Sequence, residues 1–283
     1  MSVTEQLEAA VEQGRISARF WLYTNYHCNL ACAYCLTESA PKVDPRLLQP
    51  DKALGLVREA AALGFREAGI TGGEPFLVSE LPELLADIAR VMPVTVLSNA
   101  TLFTPKLVER MRQLAALPVT VQVSLDRPDP IANDAMRGPE NFRKVLEAIP
   151  RLLDAGIRVR LATTIAFDEI VPDKTPDQER LCALHRGLGI GDADHVIRPI
   201  VRRGRALTGD LGVVATRDDL EPELTVTADG AFWSPFAPTV VNGRLDTDLL
   251  VTRTVSPLAK PAATMLRLVE GRPPGHDTTL GIR

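Results

Sequence analysis

Apolar and polar positions along the chain switch repeatedly between a helical and a strand period. Residues 2–13 (SVTEQLEAAVEQ) carry a helical pattern stopped by Gly14. Arg19-Phe-Trp-Leu-Tyr23 then reads as a strand, and a long loop containing cysteines follows. Leu54, Val57, Ala60 and Ala61 recur at helical spacing, which predicts a helix capped by Asp51 and closed by Gly64. The alternation continues with strand 67–71, a helix opening at Ser79, strand 94–97, helix 105–116, strand 119–125, helix 140–154, strand 159–165, helix 176–187 and strand 195–200. Pro150 should kink the helix that holds it, and Gly156 stands where a helix C′ glycine belongs.

Apolar strands that alternate with helices predict a parallel sheet with right-handed crossovers. The expected fold class is α/β, a partial (β/α)6 TIM-like barrel with a small C-terminal appendage. The rhythm stops after residue 201. Residues 202–221 are polar and read as loop, and Leu224–Trp233 reads as a hairpin turning at Asp229-Gly230. A last helix is expected over 257–270, with a frayed tail from Arg272. The chain thus divides into an N-terminal helix (1–17), a barrel core (18–205) and a C-terminal cap (206–283).

Composition adds exclusions. With 45% hydrophobic and 24% charged residues over 283 positions, the chain is of soluble globular type, not a disordered chain. No apolar run approaches the roughly 20 residues of a membrane-spanning helix, and the opening MSVTEQLEAAVEQG has the form of neither a secretory signal nor a transit peptide. A net charge of -4 supplies no global basic field, so nucleic acid is not expected as a partner. Three of the four cysteines fall at Cys28, Cys32 and Cys35, with Cys182 far off. That grouping reads as a ligand set rather than two disulfides, and a reducing cytoplasmic compartment is expected.

Cys28-Asn-Leu-Ala-Cys32-Ala-Tyr-Cys35 lets one tight loop wrap three thiolates around a single inorganic centre. A cubane [4Fe–4S] cluster has four iron corners, so three cysteines leave one iron open to a ligand. Zinc is the alternative, with His27, Cys182 or His185 as fourth ligand, although no second ligand pair of the usual zinc spacing follows.

The triad, with an aromatic before its last cysteine on the loop after the first strand, resembles the radical S-adenosylmethionine (SAM) superfamily. Ile70-Thr-Gly-Gly-Glu-Pro75 resembles that family's GGEP motif. Val121-Gln-Val-Ser-Leu-Asp126, with Asn133-Asp-Ala-Met-Arg-Gly138 and Asn141-Phe142, is similar to a pattern of the MoaA/PqqE/SPASM-type subgroup, which includes peptide maturases and heme- or cofactor-modifying enzymes. Two departures stand out: Arg127 replaces a glycine, and Asn133 stands where histidine is usual.

The resemblance implies that Cys28, Cys32 and Cys35 bind a [4Fe–4S] cluster whose fourth iron is chelated by SAM. One electron then releases methionine and a 5′-deoxyadenosyl radical that abstracts hydrogen from a substrate. It implies that Gly72, Gly73 and Glu74 hold the methionyl amine, that Tyr34 packs near the adenine, and that Ser98, Asn99 and Ser124 hydrogen-bond ribose or carboxylate. Arg137 would pair with the methionyl carboxylate. Asp126 is the candidate catalytic residue, capping the next segment or touching the substrate. Thr163 and Thr164 are candidates to face the adenine. Arg198, Arg202, Arg203 and Arg205 follow the sixth strand, where they either hold an anion or form a solvated basic loop. Cys182 and His185 lie one helical turn apart, and Cys182, flanked by Leu181, Ala183 and Leu184, reads as core packing.

Residues 224–235 and Asn242-Gly-Arg-Leu245 resemble the start of the relatives' auxiliary-cluster domain, but Ser234-Pro235 stands where that pattern has cysteine, and no cysteine follows Cys182. The expectation is a metal-free cap, one cluster per chain, and an external one-electron donor such as flavodoxin or ferredoxin. The substrate class is a small molecule or peptide. The short stretch before the first strand lacks a peptide-binding wing of the usual length, which leans toward small metabolites. A binding or regulatory module that kept a cluster or zinc and lost catalysis is the alternative function.

Overall fold

The computed structural model describes residues 1–166 and 175–271. The expected fraying from Arg272 lies outside the described residues. Helix α1 (Val3–Glu12) opens on a reciprocal cap, in which Ser2 Oγ accepts the Glu5 N–H and the Glu5 carboxylate accepts the Ser2 N–H. Six strands follow: β1 (Arg19–Tyr23), β2 (Glu67–Thr71), β3 (Val94–Ser98), β4 (Val119–Ser124), β5 (Arg158–Ile165) and β6 (His195–Pro199). All pair in parallel and in sequence order, β1 to β6. This is the order of a barrel, and the sheet stays open, as expected of a partial one.

The connecting helices are α2 (Pro50–Leu63), α3 (Leu81–Ala89), α4 (Pro105–Met111), α5 (Pro130–Arg137), α6 (Asn141–Asp154) and α7 (Pro176–Gly187). Helix α6 runs through Pro150, and Gly64 and Gly156 close their helices at φ of 101° and 78°. Three boundaries differ from expectation. Asp51 lies inside α2, because Pro50 occupies the first helical position, where its missing N–H costs nothing. Ser79 stays outside α3, its hydroxyl spent on Glu80. The expected helix 105–116 tightens into a 3-10 turn over Arg112–Leu114. Helix α5 was not expected at all. Asp129 initiates it, accepting the Ala132 N–H at 3.0 Å, with Pro130 at its first position.

After β6 the chain forms the single turn α8 (Arg205–Thr208) within the expected loop. Strands β7 (Thr225–Val226) and β8 (Ala231–Phe232) make the expected hairpin. A small ladder follows, β9 (Val240–Val241) with β10 (Arg244–Leu245), then β11 (Leu250–Thr252) and helix α9 (Ala259–Val269). The sheet order is β11-β8-β7-β1-β2-β3-β4-β5-β6, so the C-terminal hairpin extends the sheet beyond β1.

Packing at that junction is tight. Trp21 on β1 is fully buried opposite Gly69 on β2, and a Cβ at Gly69 would stand 2.3 Å from the indole. Beneath β7 lies Glu223, 1% exposed, with one carboxylate oxygen receiving Ser17 Oγ at 3.3 Å and the other without a hydrogen-bond partner among the described residues. Burial, with Glu221 nearby, pushes its carboxyl up to about 8. The folded protein therefore holds this proton at pH values where the unfolded chain has released it. Stability from this group is present below the ordinary glutamate range and is lost as pH rises to about 8. Glu223→Gln should raise the urea midpoint above pH 8, with the gain shrinking toward pH 5; a gain independent of pH would contradict this assignment.

Candidate active site

The C-terminal ends of the parallel strands surround one cleft. The loop after β1 enters it carrying Cys28, Cys32 and Cys35, all free thiols that line the cleft together. Gly72 and Gly73, ending β2, explain the place of this loop. The Gly73 N–H donates to the Asn25 carbonyl at 3.0 Å, and the Glu74 N–H to the His27 carbonyl at 2.9 Å. A Cβ on Gly73 would lie 2.1 Å from the His27 carbonyl oxygen, so only glycine allows the two backbones to meet. Asn25 completes the seam by donating to the Glu74 carbonyl at 3.0 Å.

Glu74 was expected to hold an amine. Its carboxylate instead faces the protein, fully buried, receiving Ser98 Oγ at 2.9 Å, the Phe76 N–H at 3.1 Å and the Asn99 N–H at 2.8 Å. Burial pushes its carboxyl up to about 7 against those three donors. Ser98 and Asn99 line the cleft at the end of β3, but the Ser98 hydroxyl is spent on Glu74. Asn99 Nδ2 points at Cys28 Sγ, 3.6 Å away. Ser124, half-buried at the end of β4, lines the cleft with no side-chain hydrogen bond among the described residues.

A second buried network stands beside the thiols. Tyr34 Oη donates to Asp126 Oδ2 at 2.5 Å and accepts from Arg137, whose guanidinium also reaches Asp126 Oδ2 at 3.1 Å. Asp126 Oδ1 receives the Thr164 N–H at 2.9 Å. Asp126 is thus committed on both oxygens and does not line the cleft, while Tyr34 and Arg137 do. Arg137 Nε is buried with no hydrogen-bond partner among the described residues. The asparagine at the unusual position is built in: Asn133 Oδ1 accepts the Asp126 N–H at 3.1 Å and Nδ2 donates to Asn141, which donates to the Asn99 carbonyl at 3.2 Å.

The end of α5 completes the thiol pocket. Its terminal carbonyls at Met136 and Arg137 receive the Ala33 N–H at 2.8 Å and the Cys32 thiol at 3.5 Å. From the far side, Arg205 donates to the carbonyls of Cys32 at 2.6 Å and Ser39 at 3.0 Å. Arg203 pairs with Asp246 at 2.8 Å, and Arg202 with Asp210 at 2.7 Å. Of the four arginines, only Arg198 lines the cleft; its Nε donates to Thr164 Oγ1 at 3.2 Å and its buried Nη1 has no hydrogen-bond partner among the described residues. Thr164 faces the cleft, whereas Thr163, one residue back on β5, faces away from it. Sequence reasoning did not single out Tyr23, Asn25 or the wall made by Pro235 and Phe236. Tyr23 Oη donates to the Pro235 carbonyl at 2.5 Å, and Tyr23, Pro235 and Phe236 line the cleft while Asn25 does not.

The donor set fits an iron–sulfur cluster. Cys28 Sγ accepts the Leu30 N–H at 3.4 Å, a contact that favours thiolate, while burial pushes its thiol up to about 12 and raises Cys32 as well. Of the residues named as a fourth zinc ligand, His27 Nε2 lies 3.2 Å from the Pro41 carbonyl, and Cys182 and His185 stand together with His195.

A parallel half-barrel with three thiols at its strand ends defines a class of cofactor-dependent enzymes, and comparison with known proteins specifies which. A family model described as Radical SAM superfamily matches residues 22–177, and the chain belongs to this superfamily of enzymes, which use a [4Fe–4S] cluster and SAM. The AdoMet-dependent heme synthase of Nitratidesulfovibrio vulgaris is 33% identical over 50% of this chain and 39% of its own. The mycofactocin maturase MftC of Mycolicibacterium smegmatis is 35% identical over 46% of this chain and 33% of its own. A probable GTP 3′,8-cyclase of Methanococcus maripaludis is 27% identical over 55% and 52%. The matched stretch spans about half or less of these relatives' length. Among solved structures, anSMEcpe with bound AdoMet aligns at a TM-score of 0.60, 12% identity, over 88% of this chain and 79% of that one. Streptococcus suis SuiB bound to precursor peptide SuiA aligns at 0.57 and 19% identity, over 76% and 47%. These likenesses show the fold.

The seam at Gly73 generates a prediction. Gly73→Ala should lower stability by about 1–3 kcal/mol, the usual cost of forcing atoms into a packed site, and reduce iron retained after reconstitution. Unfolding midpoints and iron analysis check both, and wild-type values would contradict the backbone seam.

Proposed function

We propose that the chain cleaves SAM reductively at a single [4Fe–4S] cluster and uses the resulting radical to take hydrogen from a small-molecule or peptide substrate. The observation that carries this reading is convergence: Cys28, Cys32 and Cys35 open onto the same cleft as Gly72, Gly73 and Arg137. When bound, the cluster supplies the single electron that breaks the sulfur–C5′ bond of SAM. The protein's part is to hold and orient. Arg137, braced by Asp126 and Tyr34, keeps its Nε for the methionyl carboxylate. Arg198 Nη1 offers a second buried donor to an anionic group of SAM or of the substrate. Asp126 acts as a positioning residue in this reading, since it is buried, does not line the cleft and holds Tyr34 and Arg137, which do.

In this reading the C-terminal segment, described from 206 to 271, is a cap without a cluster. Support comes from Pro235 and Phe236, which wall the cleft, and from the absence of cysteine after Cys182 in the sequence. An external flavodoxin- or ferredoxin-type donor then reduces the cluster directly. Peptide and small-molecule substrates both remain within the range named for the relatives, which include a sporulation killing factor maturation protein.

Two measurements test the proposal. Cys32→Ala should lose the brown cluster absorbance and the release of 5′-deoxyadenosine from SAM together; release that persists without a cluster would overturn it. Iron analysis of anaerobically reconstituted protein should give about four atoms per chain, the content of one cubane cluster, and a value near eight would remove the metal-free cap.

A further inference from the structure

Away from the cleft, one group of donor atoms has no part in SAM chemistry. Helix α7 and the first residue of β6 bring Cys182, His185 and His195 together, with their ligand atoms all within 4.8 Å of one another. The two imidazoles tilt against each other with ring centroids 4.6 Å apart. Cys182 and His185 lie three residues apart on the helix, so both project from one face. The sequence placed that pair on one turn; β6 supplies the third member.

The surrounding hydrogen bonds fix which ring nitrogens are lone pairs. Thr163 Oγ1 donates to the Leu125 carbonyl at 2.8 Å, so toward His195 Nε2, also at 2.8 Å, its oxygen accepts. The His195 proton then sits on Nε2, and Nδ1 turns its lone pair toward Cys182 Sγ, 3.9 Å away. His185 Nδ1 lies 2.9 Å from the Ile190 carbonyl and must donate to it, which leaves the lone pair on Nε2. That Nε2 is fully buried and has no hydrogen-bond partner among the described residues. Asp192 Oδ1, at 3.7 Å, is beyond hydrogen-bond reach. Each imidazole is therefore oriented by a protein oxygen behind it, with His185 Nε2 unpartnered among the described residues and His195 Nδ1 turned toward the Cys182 thiol, the arrangement that holds histidine ligands on metals.

We propose that Cys182, His185 and His195 bind a zinc ion, with the fourth position taken by water or by Asp192. One thiolate with two imidazoles suits an ion of intermediate softness, and oxygen-seeking ions such as magnesium and calcium do not fit it. Zinc bonds of about 2.0–2.3 Å bring sulfur and nitrogen ligands to within about 3.6 Å of each other, so the Cys182–His195 pair, at 3.9 Å, would close by a few tenths of an ångström and the widest pair of the group by about an ångström. The Cys182 thiol proton passes to solvent on binding. Arg186 now holds Asp192 through both carboxylate oxygens, at 2.7 and 2.5 Å, at the edge of the group. The ion would pin α7 to β6, the last strand of the parallel run, at the opposite end of that strand from Arg198. The site is independent of the cluster thiols.

Cluster-reconstituted full-length protein, equilibrated with micromolar Zn2+ and desalted, should retain about one zinc per chain beside its iron. Zinc-edge X-ray absorption should show one sulfur and otherwise nitrogen or oxygen neighbours. Cys182→Ser and His185→Gln should each weaken zinc binding by at least about 10-fold with iron content unchanged. A shell of three sulfurs would place the zinc in the cluster triad and overturn the proposal. So would zinc retention unaffected by either substitution, or no retention by the wild type. Should the variants fail to fold, the absorption shell of the wild-type chain decides alone.

Discussion

Two stretches of backbone meet between the end of β2 and the thiol loop, at a distance only glycine permits. With no Cβ at position 73, the N–H groups of Gly73 and Glu74 reach the carbonyls of Asn25 and His27, the residues just before Cys28. The first thiol thereby takes its position from a strand in the sheet and not from the loop's own preferences. Glu74 carries the constraint onward, because its carboxylate receives the backbone of Asn99 and the hydroxyl of Ser98 at the end of β3. Loop, β2 and β3 are locked in a single step. A buried carboxyl kept up to about 7 is the cost of this lock, offset by three hydrogen bonds.

The same logic repeats one strand further. Asp126 at the end of β4 ties the β5 backbone, the Tyr34 ring and the guanidinium of Arg137 into one buried group. Losing one member of such a pair leaves an uncompensated charge, which typically costs about 3–5 kcal/mol. The asparagine that replaces the usual histidine at position 133 belongs to this group as well. An amide presents an acceptor and a donor at once, and Asn133 uses the first on the Asp126 N–H and the second on Asn141. It is a neutral bridge that needs no particular pH to hold its shape.

How far the fold was legible follows from where burial acts. Strands such as β3 and β4 announce themselves by valine at every second position with β-branched threonine between, and the glycines at 64 and 156 mark helix ends because their backbone is left-handed. Helix α5 was hidden because only Asn133 and Arg137 of its eight residues are buried, so it shows no apolar stripe. The thiols, glycines and strand-end residues of the cleft were legible through their motifs. Which way a polar group turns was not. Glu74, Ser98 and Asp126 spend their hydrogen bonds on the protein, and Arg202, Arg203 and Arg205 brace loops, since those outcomes depend on partners up to 173 residues away. The meeting of His195 with Cys182 was illegible for the same reason: its third member arrives from a different element.

An open half-barrel has two edges, and each exposes backbone donors and acceptors that must be satisfied. At the β1 edge the C-terminal hairpin adds β7 in parallel, with Trp21 and Leu22 opposite Thr225 and Val226, and this same segment delivers Pro235 and Phe236 to the cleft wall. Closing the edge and walling the site are therefore one structural act, and Tyr23, whose hydroxyl reaches the Pro235 carbonyl, joins them. At the other edge β6 is followed by the bridge between Val201 and Val213 and then by Gly204, whose missing side chain lets the chain lie 2.0 Å, measured from a would-be Cβ, from the Leu36 carbonyl. Arg205 next donates to two carbonyls of the thiol loop. Both ends of the sheet thus converge on the loop after β1, so the cysteines are clamped from β2, from the hairpin side and from β6. A sheet that closed on itself would have no free edges from which to hold that loop, and the open barrel is what allows one flexible stretch to be anchored on three sides.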